Sequence, residues 1–214
     1  MREVSPEIIK RIKNGETDLF REIVDVYKDR AFSLTMKILK NREEAEDALQ
    51  ESFLRLYRAI ASDSFEARAK FSTYFYTIVY NTAVDSYRKY YSGSFNVTSI
   101  EINDSNYRDG DELSKSIEHK IDTNIYRHAH GTVDGGFEIN EIKKIVREYV
   151  DAIPGQYSVI LNMFYINEMS HEEISTLLKI PVGTVKNRIF RAKQKLKDLL
   201  TGYFKEELFE YLKN

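Results

Sequence analysis

Apolar residues recur at three- and four-residue intervals along two long stretches of the chain, separated by a stretch that has no such period. That spacing predicts amphipathic helices. Ser5 and Pro6 start a short one, and Asp18 begins a longer one that turns Phe20, Ile23, Val24, Tyr27, Ala31, Leu34 and Ile38 inward. Asn41 with Glu44 caps a third, running from Glu43 to Ile60 and burying Ala45, Ala48, Leu49, Ser52, Phe53, Leu56 and Ile60. The period lapses from Ala61 to Lys70, a loop, and returns in a fourth helix from Phe71 to Tyr91. In the second stretch Ile142, Ile145, Val146, Tyr149, Val150 and Ile153 repeat at helical spacing. Pro154-Gly155 then punctuates, and Val159, Ile160, Met163 and Phe164 lead on. No alternating pattern longer than a few residues competes. The expected fold is all-α, with small helical domains at residues 1–91 and 141–214 joined by a flexible linker at 92–140.

The last helices carry the clearest signature. Ser170 and Glu173 form a capping box opening a helix with Ile174, Leu177 and Leu178 inward; Pro181 ends it, and Gly183 and Thr184 open the next. A short turn between two helices is the helix-turn-helix pattern. On a wheel of about 100° per residue, Val185, Ile189, Ala192 and Leu196 form one narrow stripe. Asn187, Phe190, Arg191 and Gln194 lie opposite, with Lys186, Arg188 and Lys195 on the flanks. Asparagine suits an adenine edge, arginine suits guanine or phosphate, and an outward phenylalanine suits a thymine methyl. Duplex DNA is therefore the first partner expected, ahead of a solvated basic helix that merely finishes a bundle.

Charge sharpens this picture. The formal net charge of −2 over 214 residues is unlike a DNA binder until it is divided along the chain. Residues 1–91 hold 16 basic against 15 acidic side chains, residues 92–140 hold 4 against 9, and residues 141–214 hold 12 against 10. The linker is thus acidic, while Lys186, Arg188, Arg191, Lys193, Lys195 and Lys197 face only Asp198 in the recognition helix. With so little total charge the chain alone should bind DNA weakly, because nonspecific affinity scales with the phosphates neutralised. A larger partner is expected to hold it there.

Other chemistries find little support. With no cysteine, disulfides, thiolate zinc sites and cysteine nucleophiles are excluded. No long apolar run or secretory leader is present, so no membrane insertion and a cytoplasmic location are expected. His128 and His130 have no third ligand nearby and are assigned no metal; no cofactor is expected. No nucleophile, base and orienting group converge in any motif, so the chain is not expected to be an enzyme.

Two further surfaces stand out. Opposite its apolar side, the third helix shows Asp47, Gln50, Glu51, Leu54 and Arg58, an apolar anchor among polar neighbours such as a protein interface carries. The same pattern also suits a solvated face. The fourth helix has aromatics on two sides, with Phe71, Tyr74, Phe75 and Ile78 on one stripe and Tyr76, Tyr80, Val84 and Tyr87 on another. One stripe faces the bundle; the other, followed by Arg88 and Lys89, offers stacking surfaces beside positive charge, as single-stranded nucleic acid requires. A helix buried on both faces is the alternative.

In order and spacing, the two blocks resemble regions 2 and 4 of the sigma-70 family, in its group IV or extracytoplasmic function (ECF) subfamily. AEDALQESFLRLYRAI, from Ala45 to Ile60, looks like the region that grips the clamp helices of the RNA polymerase β′ subunit. FSTYFYTIVYNTAVDSYRK, from Phe71 to Lys89, is similar to the segment that melts and reads the promoter minus-10 element. IPGQYSVILNMFY with MSHEEISTLLKIPVGTVKNRIFRAKQKL resembles region 4, which reads the minus-35 element. Tyr74 stands where the family usually has tryptophan, and Thr77 and Ser158 stand where basic residues are common.

The resemblance implies a noncatalytic subunit of core RNA polymerase, contacting the β′ clamp helices and the β subunit, binding promoter DNA, and held inactive by an anti-sigma factor. It assigns polymerase binding to Asp47, Gln50, Glu51, Leu54 and Arg58. DNA binding falls to Phe71, Tyr74, Tyr80, Asn81 and Arg88 in the first block and to Thr184, Lys186, Asn187, Phe190 and Arg191 in the second. A base flipped from the stack would enter the 61–70 loop, and the acidic linker would thread a polymerase channel meant for nucleic acid. The rival is a free-standing helix-turn-helix regulator that binds DNA as a symmetric dimer without polymerase.

Overall fold

The computed structural model describes residues 4–62, 65, 70–90 and 139–211, with side chains at 139–145 and 202–211 left out of account. The 92–140 linker, its histidines and most of the 61–70 loop lie outside the described residues, apart from 139–140 and a few loop positions. Every regular element described is helical. No described helix is long and apolar enough to cross a membrane.

In the first block, α1 (Pro6–Lys13) begins where Ser5 Oγ accepts from the Ile8 N–H at 3.3 Å, and a 3₁₀ turn (Thr17–Leu19) leads into α2 (Phe20–Leu39). Asp18 therefore sits in the 3₁₀ turn and does not begin α2, as the cap pattern had suggested. α3 (Arg42–Ala61) starts at Asn41, whose Oδ1 accepts from the Glu44 N–H at 3.2 Å. α4 (Phe71–Tyr90) packs against both α2 and α3. Tyr27, fully buried on α2, is the hub: its ring lies 5.6 Å from Phe71, 5.5 Å from Phe75 and 6.1 Å from Tyr76, edge to face in each case. From α3, Phe53 stacks on Phe75 at 4.9 Å.

The second block comprises α5 (Ile139–Ala152), α6 (Gly155–Leu161), a π-helical turn (Asn162–Ile166), α7 (His171–Leu178) and α8 (Val182–Tyr211). Both bonds of the capping box are present, Ser170 Oγ accepting from the Glu173 N–H at 3.1 Å and Glu173 Oε2 accepting from the Ser170 N–H at 2.7 Å. α7 ends at Lys179, a lysine in the left-handed region (φ 56°), and the Ser175 hydroxyl donates to the Ile180 carbonyl at 2.6 Å to hold the turn. Ile174, Leu177, Val185, Ile189 and Ala192 close the core between α7 and α8, with Ile160 and Met163 beneath.

The blocks touch. α2 packs against α6 and the π turn, through contacts that no sequence periodicity announces.

Candidate nucleic-acid interface

On α3 the expected outward face is built. Asp47, Gln50, Leu54 and Arg58 are exposed, and Leu54 keeps 51% of its surface open to solvent, unusual for a leucine flanked on both sides by charged residues. Glu51 is half-buried because its carboxylate holds Arg55 at 2.8 Å, one turn along.

α4 overturns the reading of one inward and one outward stripe. Phe71 and Tyr80, expected to meet DNA, are 4% and 7% exposed, and Tyr76 and Val84 are buried with them. The reason is geometric: a helix with neighbours on two sides must bury two stripes. The exposed surface of α4 reduces to Asn81, Asp85, Arg88, Lys89 and Tyr90, with Tyr74 half-buried against Phe65 at 4.9 Å. Thr77 turns its hydroxyl to its own helix, donating to the Thr73 carbonyl at 2.8 Å; Ser158, on α6, is buried and donates to the Gly155 carbonyl.

The recognition helix α8 keeps Lys186 and Asn187 exposed and Thr184, Phe190, Arg191 and Gln194 half-exposed. Arg188 and Lys193, counted above with its outward charge, are 4% and 9% exposed. Both lie within about 80° of the Val185–Ala192 stripe, and α8 packs on α6 as well as α7, so its buried face is wider than four residues suggest. Lys193 Nζ lies over the Tyr165 ring at 5.4 Å, whereas Arg188 Nη1 is buried with no hydrogen-bond partner. The groove-facing cations are therefore Lys186, Arg191, Lys195 and Lys197.

Sequence reasoning missed a polar cluster where the blocks meet. Glu173 Oε1 accepts from the Thr73 hydroxyl at 2.7 Å and lies 3.3 Å from Lys70 Nζ, so the capping residue of α7 also grips the start of α4. Burial pushes the Glu173 carboxyl up, but the Ser170 N–H, the Thr73 hydroxyl and Lys70 together outweigh it and hold the group below the ordinary carboxylate range. Nothing in the sequence pairs positions a hundred residues apart.

A helical bundle with an outward apolar-anchored face, coupled to a helix-turn-helix with lysine and asparagine outward, defines a DNA-binding protein that also carries a protein-docking face. Comparison with known proteins places it more narrowly. Residues 23–92 match sigma-70 region 2 and residues 143–196 match sigma-70 region 4. The chain is 34% identical over 195 residues to the ECF RNA polymerase sigma factor SigW of Bacillus subtilis, covering 90% of this chain and 94% of that one. It is 28% identical over 191 residues to the ECF RNA polymerase sigma-E factor of Escherichia coli, covering 87% and 89%. Among solved structures the fold is similar to CnrH in complex with the cytosolic domain of CnrY (TM-score 0.56, 17% identity, covering 91% of this chain and 96% of that one). It is also similar to the sigma factor RpoE of Bartonella quintana in complex with the anti-sigma factor NepR (TM-score 0.55, 15% identity, 85% and 96%). The chain belongs to the sigma-70 family, in its ECF group.

Proposed function

We propose that this chain docks on core RNA polymerase and directs it to promoters carrying two DNA elements, as a noncatalytic initiation factor acting in the cytoplasm. The observation that carries the reading is the occurrence, on one chain of this family, of the exposed Leu54 face and of a helix-turn-helix with Lys186 and Asn187 outward. Asp47, Gln50, Glu51, Leu54 and Arg58 form the docking surface for the β′ clamp helices, and region 4 offers the β subunit a second contact. Tyr74, Asn81 and Arg88 meet the melted minus-10 strand. Phe71 and Tyr80 support that surface from within, unless melting draws them out. Thr184, Lys186, Asn187, Phe190 and Arg191 meet the minus-35 duplex. Residues 1–91, 92–140 and 141–214 are the corresponding domains and linker.

SigW and sigma-E are named as ECF sigma factors, and the RpoE and CnrH structures are complexes with NepR and with the cytosolic domain of CnrY. An anti-sigma factor is the regulator inferred here on that basis. The free-standing regulator reading has no use for the Leu54 face.

Run-off transcription with purified core polymerase and a promoter-fragment library tests the assignment. Product should depend on the chain, and Asp47→Ala with Gln50→Ala should cut core affinity at least severalfold while thermal melting stays within about 0.5 kcal/mol of wild type, since exposed polar truncations cost little stability. Unchanged core affinity by titration would sink the docking face.

A further inference from the structure

The seam between the two blocks is almost wholly polar. Arg30 Nη2 lies 2.8 Å from Glu168 Oε1, Lys37 pairs with Asp151, Asn162 Nδ2 donates to Ser33 Oγ at 2.6 Å, and Asn167 Nδ2 donates to the Arg30 carbonyl at 3.2 Å. At its far end Glu173 holds Thr73 and Lys70.

Three features mark this seam as a contact made to open. Asn162 and Asn167 are 2% and 1% exposed, yet the Oδ1 of each has no hydrogen-bond partner. A buried acceptor left unmet costs roughly 1–3 kcal/mol that water would return on separation. Asn162 begins a π-helical turn, and Glu168 sits at φ 55°, a left-handed conformation unfavourable for any residue with a Cβ. Finally, the ion pairs are partly solvated, Arg30 and Glu168 keeping 35% and 42% of their side-chain surface, so each contributes little by itself. Polar interfaces of this kind permit relative motion of the blocks they join.

Closure is incompatible with reading two promoter elements. Elements centred about 25 base pairs apart lie about 85 Å apart at 3.4 Å per step. Two folded blocks of this size, each about 30 Å across, reach no more than about 60 Å when touching. Closure also fills the start of α4, because the Glu173 carboxylate takes the hydroxyl and ammonium donors of Thr73 and Lys70, donors that suit a backbone phosphate equally well.

We propose that the seam is an autoinhibitory latch, in which Glu173 occupies on Lys70 and Thr73 the place of a promoter-strand phosphate, and that the latch opens when the chain binds polymerase. This rests on the proposed function, but its readouts are separate.

Charge reversal on the full chain tests it. Arg30→Glu and Glu168→Arg each place like charges together and should open the chain, raising the scattering radius of gyration and tightening binding of a fluorescent single-stranded oligonucleotide threefold or more without polymerase. The double swap should restore both values. No opening in either single variant, opening without tighter DNA binding, or failure of the swap to restore would each overturn the latch. A second arm uses the absence of cysteine from the chain. Ser33→Cys with Asn162→Cys, its fold checked by circular dichroism, should cross-link on oxidation and lose promoter-directed transcription until reductant is added. Failure to cross-link, or full transcription by the oxidised protein, would count against closure or against its inhibitory role. Transcription by the wild-type chain with core polymerase, measured alongside, tests the initiation-factor reading by itself.

Discussion

Arg188 and Lys186 sit two positions apart on α8 and meet opposite fates. Lys186 is exposed, whereas Arg188 is swung about 200° around the helix into a site where its guanidinium has an unmet donor. A buried arginine without full pairing is replaced by an apolar side chain of similar length at little or no cost. Arg188→Met should therefore melt at or above the wild-type temperature and keep wild-type promoter preference. Asn187→Ala should leave melting unchanged and relax preference at one upstream base, by about 1–3 kcal/mol of discrimination if it reads an edge. Sequence preferences of the two variants on a promoter library decide the matter; equal effects would mean that the outward face of α8 is misassigned. The wheel identified the Val185, Ile189 and Ala192 stripe, but the distance over which burial spreads to its flanks depends on how many helices lie against it, and sequence spacing carries no such number.

Within elements, the caps were the most legible signals, because they are local. Ser5, Asn41 and Ser170 all accept from the backbone N–H three residues on. Helix ends at Lys40 and Lys179 were not legible, since a lysine at φ 56° carries none of the glycine signal that usually marks a left-handed cap. The two aromatic stripes of α4 were visible as stripes; that both are buried follows only from its two neighbours. Tyr27→Ala removes the ring around which Phe71, Phe75 and Tyr76 pack, and should cost about 3–5 kcal/mol in chemical denaturation. A loss under 1 kcal/mol would contradict this account of the core. Glu173 ties α7 to α4, and because its folded carboxyl is held low, the stabilisation it supplies is complete at neutral pH and is lost as pH falls below the ordinary carboxylate range. Glu173→Gln, which keeps an oxygen for the Ser170 N–H, should flatten the acid limb of stability against pH; an unchanged limb would show that Glu173 is not among the groups that titrate there.

For the whole molecule, burial of Arg188 and Lys193 leaves a thinner basic face than composition suggested, Lys186, Arg191, Lys195 and Lys197. The free chain should bind duplex DNA weakly, with log affinity falling against log salt at a slope of roughly −3 to −4, about −0.9 for each phosphate neutralised. Anisotropy titrations measure this directly, and a slope beyond about −6 would require cations outside α8. Helical period, caps and the turn at Pro181 are properties of neighbours along the chain, and they were enough to establish an all-α protein, its two blocks, the helix-turn-helix and the outward Leu54 face. Contacts between residues far apart in sequence have no period. Packing alone decided that Phe71 and Tyr80 support the nucleic-acid surface from inside, that Arg188 is not on it, and that Glu173 reaches Thr73 across the seam. Each of those outcomes depends on which surfaces meet once the helices have formed, and the energy of that meeting is set by shape and solvent exclusion in three dimensions.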